Sequence, residues 1–257
     1  MTKFRSSLHQ EAPNEAGLDR VERSKLKVRT LFGGTDRVFA ETDPVFARLR
    51  DRFVFGDVQS KVALPDAVKA LVSLAVLTTI GERETIASHT RAALRAGASP
   101  EAIKETIYHT APLIGFPKAQ AALREVNSGL VLAGYPLPLP DAARVTEEDR
   151  LEAGREIAEL LDIPLSGRSD AERIVLEDGL CGFACGDIAT RGVVSLPLRA
   201  LLWFVAAVAG HADHETLRTF ITMNRNVGNR KEELEAAAAL AMPYVGVMRA
   251  REIFSLL

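Results

Sequence analysis

A chain of 257 residues with 47% hydrophobic and 26% charged side chains has the make-up of a folded globular protein, which excludes wholesale disorder and low-complexity architectures. Its 32 basic and 34 acidic residues leave a net charge of -2, so it lacks the basic surplus of a nucleic-acid binder or a polybasic membrane surface. Only 6% of residues are aromatic, while Ala and Leu recur throughout, which favours helices over a β-sandwich.

Residues 1–17 read as an N-terminal tail. Met1 to about Lys27 has no apolar stretch of the secretory-signal kind, so a cytoplasmic location is expected. Leu64 to Ile80 predicts an apolar-rich helix, and Glu82 to Ala96 a second that stops at Gly97. Ser99-Pro100-Glu101 starts a third, with Ser as N-cap, Pro in the first turn and Glu where the helix dipole favours an anion. It is expected to end near Pro112, and Pro117 opens another carrying Ala119, Ala122 and Leu123. Residues 131–147 form a Pro-rich linker, with alternating prolines in Gly134-Tyr135-Pro136-Leu137-Pro138-Leu139-Pro140. Leu196 to Ala209 is apolar apart from Arg199 and shorter than the ~20 residues of a membrane span, so it reads as a buried helix. Asn229 with Glu232 has capping-box spacing for a helix ending near Pro243. No segment alternates convincingly as a strand, and the expected fold class is all-α.

The chain also repeats itself. At an offset of 130, Asp19-Arg20-Val21-Glu22 falls on Asp149-Arg150-Leu151-Glu152, Val45 on Val175, Gly56-Asp57-Val58 on Gly186-Asp187-Ile188, Lys61 on Arg191, and Lys69-Ala70-Leu71 on Arg199-Ala200-Leu201. At 131, Gly97 pairs with Gly228, Glu101 with Glu232, and Pro112-Leu113-Ile114-Gly115 with Pro243-Tyr244-Val245-Gly246. A shared order with one slip implies a tandem duplication, residues 18–130 and 148–257.

The two halves differ in their chemistry. His89 falls opposite Phe220 and His109 opposite Leu240. Glu82 precedes His89 by seven residues, which on a continuous helix puts both on one face, with Glu84 further round; such a carboxylate would orient the imidazole and raise its pKa. His109 stands near a helix C-terminus, where a cation complements the dipole. Lys61, Lys69, Arg91 and Lys104 are candidates to hold a substrate carboxylate. His211-Ala212-Asp213-His214 lacks the i, i+4 spacing of a helical zinc motif, and no metal is expected. Neither a phosphate-binding glycine loop nor a serine-hydrolase elbow is present. Cys181 and Cys185 are separated by three residues, unlike a Cys-x-x-Cys redox pair.

Phe55-Gly56-Asp57-Val58, Lys69-Ala70-Leu71-Val72-Ser73-Leu74-Ala75, His89-Thr90-Arg91-Ala92-Ala93-Leu94-Arg95-Ala96-Gly97, Glu101-Ala102-Ile103-Lys104-Glu105 and Ile114-Gly115-Phe116-Pro117-Lys118-Ala119 resemble, in that order, the carboxymuconolactone decarboxylase family. The second half resembles it more weakly. The resemblance implies an all-α alkylhydroperoxidase D-like unit in two copies, cofactor-free chemistry, and a trimer reproducing the family's hexameric ring. It implies loss of CO2 from 4-carboxymuconolactone or a related enolisable acid in aromatic-compound catabolism. His89 would be the proton donor, assisted by Glu82, Glu84 or His109, with Lys61, Lys69 and Arg91 binding substrate. One position departs: Thr85 stands four residues before His89, where the family often carries Glu. Alkylhydroperoxidase D shares the fold but needs a Cys-x-x-Cys just ahead of this histidine, and Glu82 to Ser88 contains no cysteine. Peroxidase activity and a non-catalytic binding or assembly role are the alternatives.

Overall fold

The computed structural model describes residues 17–34, 37–165 and 169–257, so residues 1–16 of the expected tail lie outside the described residues. The described residues form helices and connecting loops, with no strand among them. In chain order these are α1 (Arg20–Phe32), α2 (Arg37–Thr42), α3 (Pro44–Asp51), a π-helical segment (Arg52–Gln59), α4 (Asp66–Ile80), α5 (Ile86–Arg95), α6 (Pro100–Ile114) and α7 (Phe116–Leu132). There follow α8 (Arg150–Leu160), α9 (Asp170–Arg173), a second π-helical segment (Ile174–Ala189), α10 (Leu196–Ala209), α11 (His214–Asn226), α12 (Lys231–Val245) and α13 (Val247–Phe254).

The core forms around α4 and α10, the two most apolar α-helices, which pack on each other. Val72, Leu74, Val76, Leu202, Phe204 and Val205 lie fully buried there. Each half then reaches across: α6 packs on α10 and the second π-helical segment, and α12 on α4 and the first. No helix among the described residues is long and apolar enough to cross a membrane.

The repeated Asp-Arg and Gly-Asp motifs have a physical cause. Arg20 at the start of α1 pairs with Asp57 at 2.6 Å, and Arg150 of α8 with Asp187 at 3.5 Å. A side chain on Gly56 or Gly186 would collide with the carbonyl of Arg20 or Arg150, so glycine lets each π-helical segment lie against its partner helix.

Several helix ends differ from expectation. Glycine, rather than proline, ends α6 and α12. Both run through Pro112 and Pro243 to Gly115 and Gly246, whose φ values of 80° and 87° turn the chain sharply. A proline so near the C-terminus removes a single ladder bond. Ser99 caps α6, accepting from the Ala102 N–H at 3.1 Å, as expected. Helix α12, however, starts one residue later than the Asn229 reading requires. The Arg230 N–H donates to Glu233 at 2.7 Å, while the Asn229 amide donates to the Pro197 carbonyl and to Asn224. In the Pro-rich segment, Leu137 and Leu139 pack on the core, and Asp141 pairs with Arg191 at 2.8 Å.

Candidate active site

The cleft beside His89 forms where α1, the first π-helical segment, α4 and α5 meet. Its lining residues are Leu31, Phe32, Gln59, Asp66, Ala70, Ser73, His89 and Ala92. It is narrow, with room for little more than a water molecule. The Phe32 ring stands edge-on to His89 at 5.0 Å, and Tyr244 of α12 does the same at 6.4 Å.

These surroundings set the charge of His89. Burial, together with the Arg50 guanidinium, lowers its pKa from the usual 6.5 to about 4, so the imidazole is neutral at neutral pH. The expected carboxylate partner is absent for a local reason. Gly81 ends α4 in the left-handed conformation, and the Glu82 carboxylate accepts the Thr85 N–H at 3.1 Å, which closes the turn into α5. Helix α5 begins only at Ile86, so Glu82 shares no helix face with His89, and Glu84 is exposed in the same turn.

Of the catalytic and substrate-binding candidates read from the sequence, only His89 lines the cleft. Lys69 lies 2% exposed behind it, donating to the Gln59 carbonyl at 2.8 Å and to Asp66 at 3.2 Å. Lys27 reaches the other oxygen of Asp66 at 2.8 Å. The two lysines outweigh the burial penalty and hold Asp66, which does line the cleft, ionised and below its ordinary pKa. Lys61 is exposed beside Asp57, and Arg91 is half-buried on α5 outside the cleft lining.

His109 belongs to a different place, the packing of α6 on α10. It stacks on Trp203 at 4.3 Å, and its carbonyl accepts the Trp203 indole N–H at 2.7 Å. Its Nε2–H donates to the Arg199 carbonyl at 2.8 Å, and its Nδ1 faces the Arg199 guanidinium. Burial first, and Arg199 second, keep this ring neutral too. Asp213 caps α11, and His214 pairs with Glu252 at 2.7 Å. Cys181 and Cys185 are buried free thiols, and burial pushes Cys185 up to about 12. Neither is a ready thiolate.

Self-comparison of the sequence missed Arg50, Asp66, Ser73 and Tyr244, which join His89 only through tertiary packing. The one visible signal was Tyr244 standing where the first half has Leu113.

The neutral state of His89 has a consequence for stability. An unfolded chain takes up a proton at this residue below pH 6.5, whereas the folded one resists until about pH 4. Stability is therefore expected to fall as pH drops through this window and to level off, for this residue, below it. His89→Phe, matching Phe220, should recover up to about 3 kcal/mol of that loss, read from urea midpoints at neutral pH and near pH 4. Equal acid sensitivity in the two proteins would show that the ring is not held neutral.

Residues 44–128 match the model of the carboxymuconolactone decarboxylase family. A 4-carboxymuconolactone decarboxylase of Acinetobacter baylyi is 33% identical over 78 residues, covering 30% of this chain and 58% of that protein. This chain thus spans little more than half the length of the curated relative it matches. A solved structure from Burkholderia xenovorans LB400, provisionally described as a gamma-carboxymuconolactone decarboxylase subunit, has the same fold. Its TM-score is 0.54 at 20% identity, covering 91% of this chain and 94% of that one. The His89 cleft is built largely from residues 44–128, the segment that is similar to the carboxymuconolactone decarboxylase family.

Proposed function

We propose that this chain is a cofactor-free lyase that releases CO2 from a small carboxylated lactone, or a related enolisable acid, in the cleft beside His89. The observation that carries the reading is a partly enclosed imidazole, within the field of Arg50, inside the segment that matches the family. The name of the Acinetobacter relative supplies the substrate class.

The chemistry follows from the charges. A substrate bearing carboxylates is drawn towards Arg50, and its negative charge raises the pKa of His89 so that the ring takes a proton. The bond to the departing carboxylate then breaks, and its electron pair delocalises into the unsaturated lactone as an enolate. The imidazolium returns a proton to carbon. A lactone is larger than the cleft as it stands, so entry requires Phe32 to swing aside. The thiol-peroxidase alternative has less support, because both cysteines are buried and protonated.

The test is incubation of the purified chain with 4-carboxymuconolactone, its lactone isomers and an alkyl hydroperoxide. Lactone loss matched by CO2 is the expected result, whereas hydroperoxide reduction without CO2 release would reverse the ranking.

We also infer a tandem duplication, a ring-like homotrimer and a cytoplasmic setting. Exposed apolar side chains recur at corresponding places, Val45 with Val175 and Phe116 with Val247, as self-association through repeated surfaces requires. Light scattering should give three times the chain mass, and a monomer would remove the trimer from the account.

A further inference from the structure

The polar groups around the cleft come as a set. In the register that pairs α4 with α10, α5 with α11 and α6 with α12, Ser73 falls on Trp203, His89 on Phe220 and Leu113 on Tyr244. The backbone keeps step in this register: Gly97 and Gly228 have φ of 92° and 89°, as Gly115 and Gly246 have 80° and 87°. The fold therefore accepts a side chain with neither hydroxyl nor imidazole at each of the three places, and helix packing alone does not account for an imidazole and two hydroxyls meeting at one of them. At the corresponding place in the second half, the Trp203 ring stacks on His109.

Tyr244 lies in α12, far along the chain from the matched family segment. Its ring nonetheless stands edge-on to His89 at 6.4 Å, and its hydroxyl lies beside Ser73 and within the field of Arg50. The packing of α12 on α4 puts it there.

We propose that Tyr244 is a catalytic residue of the His89 cleft, its hydroxyl donating a hydrogen bond to the oxygen that gains charge as the substrate's enolate forms. The proposal rests on the lyase reading. As the carbon–carboxylate bond breaks and CO2 leaves, the electron pair passes through the conjugated lactone to that oxygen. The Tyr244 hydroxyl stabilises the oxygen without giving up its proton, and the His89 imidazolium delivers a proton to carbon. Burial raises the Tyr244 pKa above the usual value, which keeps the hydroxyl a donor. On this view the second half supplies a working group.

Tetronic acid, a five-membered lactone that is an enolate at neutral pH, is the probe, and the neutral lactone crotonolactone is the control. Tyr244→Phe keeps the ring, and Tyr244→Leu introduces the residue that stands at the matching position of the first half; calorimetry gives the affinities. Both variants should bind tetronate about ten- to a hundredfold more weakly and crotonolactone unchanged, and should lower kcat for the carboxylated lactone substrate about a hundredfold at similar KM. Equal tetronate affinity in wild type and Tyr244→Phe, parallel loss of both ligands, or no tetronate binding by the wild type would each overturn the proposal. A wild type that binds tetronate but releases no CO2 would sink the lyase reading, while the tetronate comparison would still decide the role of Tyr244.

Discussion

Arg199→Leu is expected to destabilise the protein by about 3–5 kcal/mol, the usual cost of removing one partner from a buried charge pair. Arg199 is fully buried in α10, and its guanidinium satisfies groups from both halves. It meets Glu105 of α6 at 3.0 Å, the Val194 carbonyl at 3.1 Å and the Arg191 carbonyl at 3.0 Å, and it faces His109. Without it Glu105, 2% exposed, keeps only the Arg191 contact at 2.7 Å, and two carbonyls lose a donor. Arg199→Lys should fall between, since an ammonium keeps the charge but lacks the planar fork. Glu105→Leu combined with Arg199→Leu should recover part of the loss, because no charge is then left stranded. Thermal or urea unfolding measures all three, and a wild-type midpoint for Arg199→Leu would contradict the assignment of this network as the tie between the halves.

His89→Gln is expected to lower CO2 release at least about a hundredfold, the lower end of what a positioned acid or base contributes. Glutamine keeps polarity and approximate size but has no proton to transfer at working pH. The sign of the pKa shift sharpens the expectation. In the free protein His89 is protonated only below about pH 4, so kcat/KM should decline as pH rises above that value. With an anionic substrate bound the pKa is higher, so kcat should hold to a higher pH before declining. An inflection in kcat at higher pH than that in kcat/KM is the signature, and coincident inflections would mean that substrate charge does not protonate the ring.

The helical fold was legible because its signals are local and periodic. The apolar run 196–209 became α10 with the expected bounds, and Ser99 became the N-cap of α6. Misplaced boundaries arose where one side chain chose between two nearby tasks. Glu82 closes a turn instead of extending α5, Asn229 bonds back to Asn224 instead of capping α12, and the Pro112 signal yields to Gly115. The site was less legible. His89 was visible as one of the histidines without a counterpart, but its neutral state depends on burial and on Arg50, which no spacing reveals. Lys69 had the right charge for a substrate clamp, yet Asp66, three residues earlier, and the Gln59 carbonyl hold it. Tyr244 lies 155 residues beyond His89 and meets it only because α12 crosses onto α4.

The most direct test of the His89 cleft as the seat of chemistry is CO2 release per lactone consumed, measured for 4-carboxymuconolactone with wild type and His89→Gln side by side. One CO2 is expected for each lactone lost with the wild type, with a rate at least about a hundredfold lower in a variant that remains folded. Equal rates for the two proteins would contradict that role of the cleft.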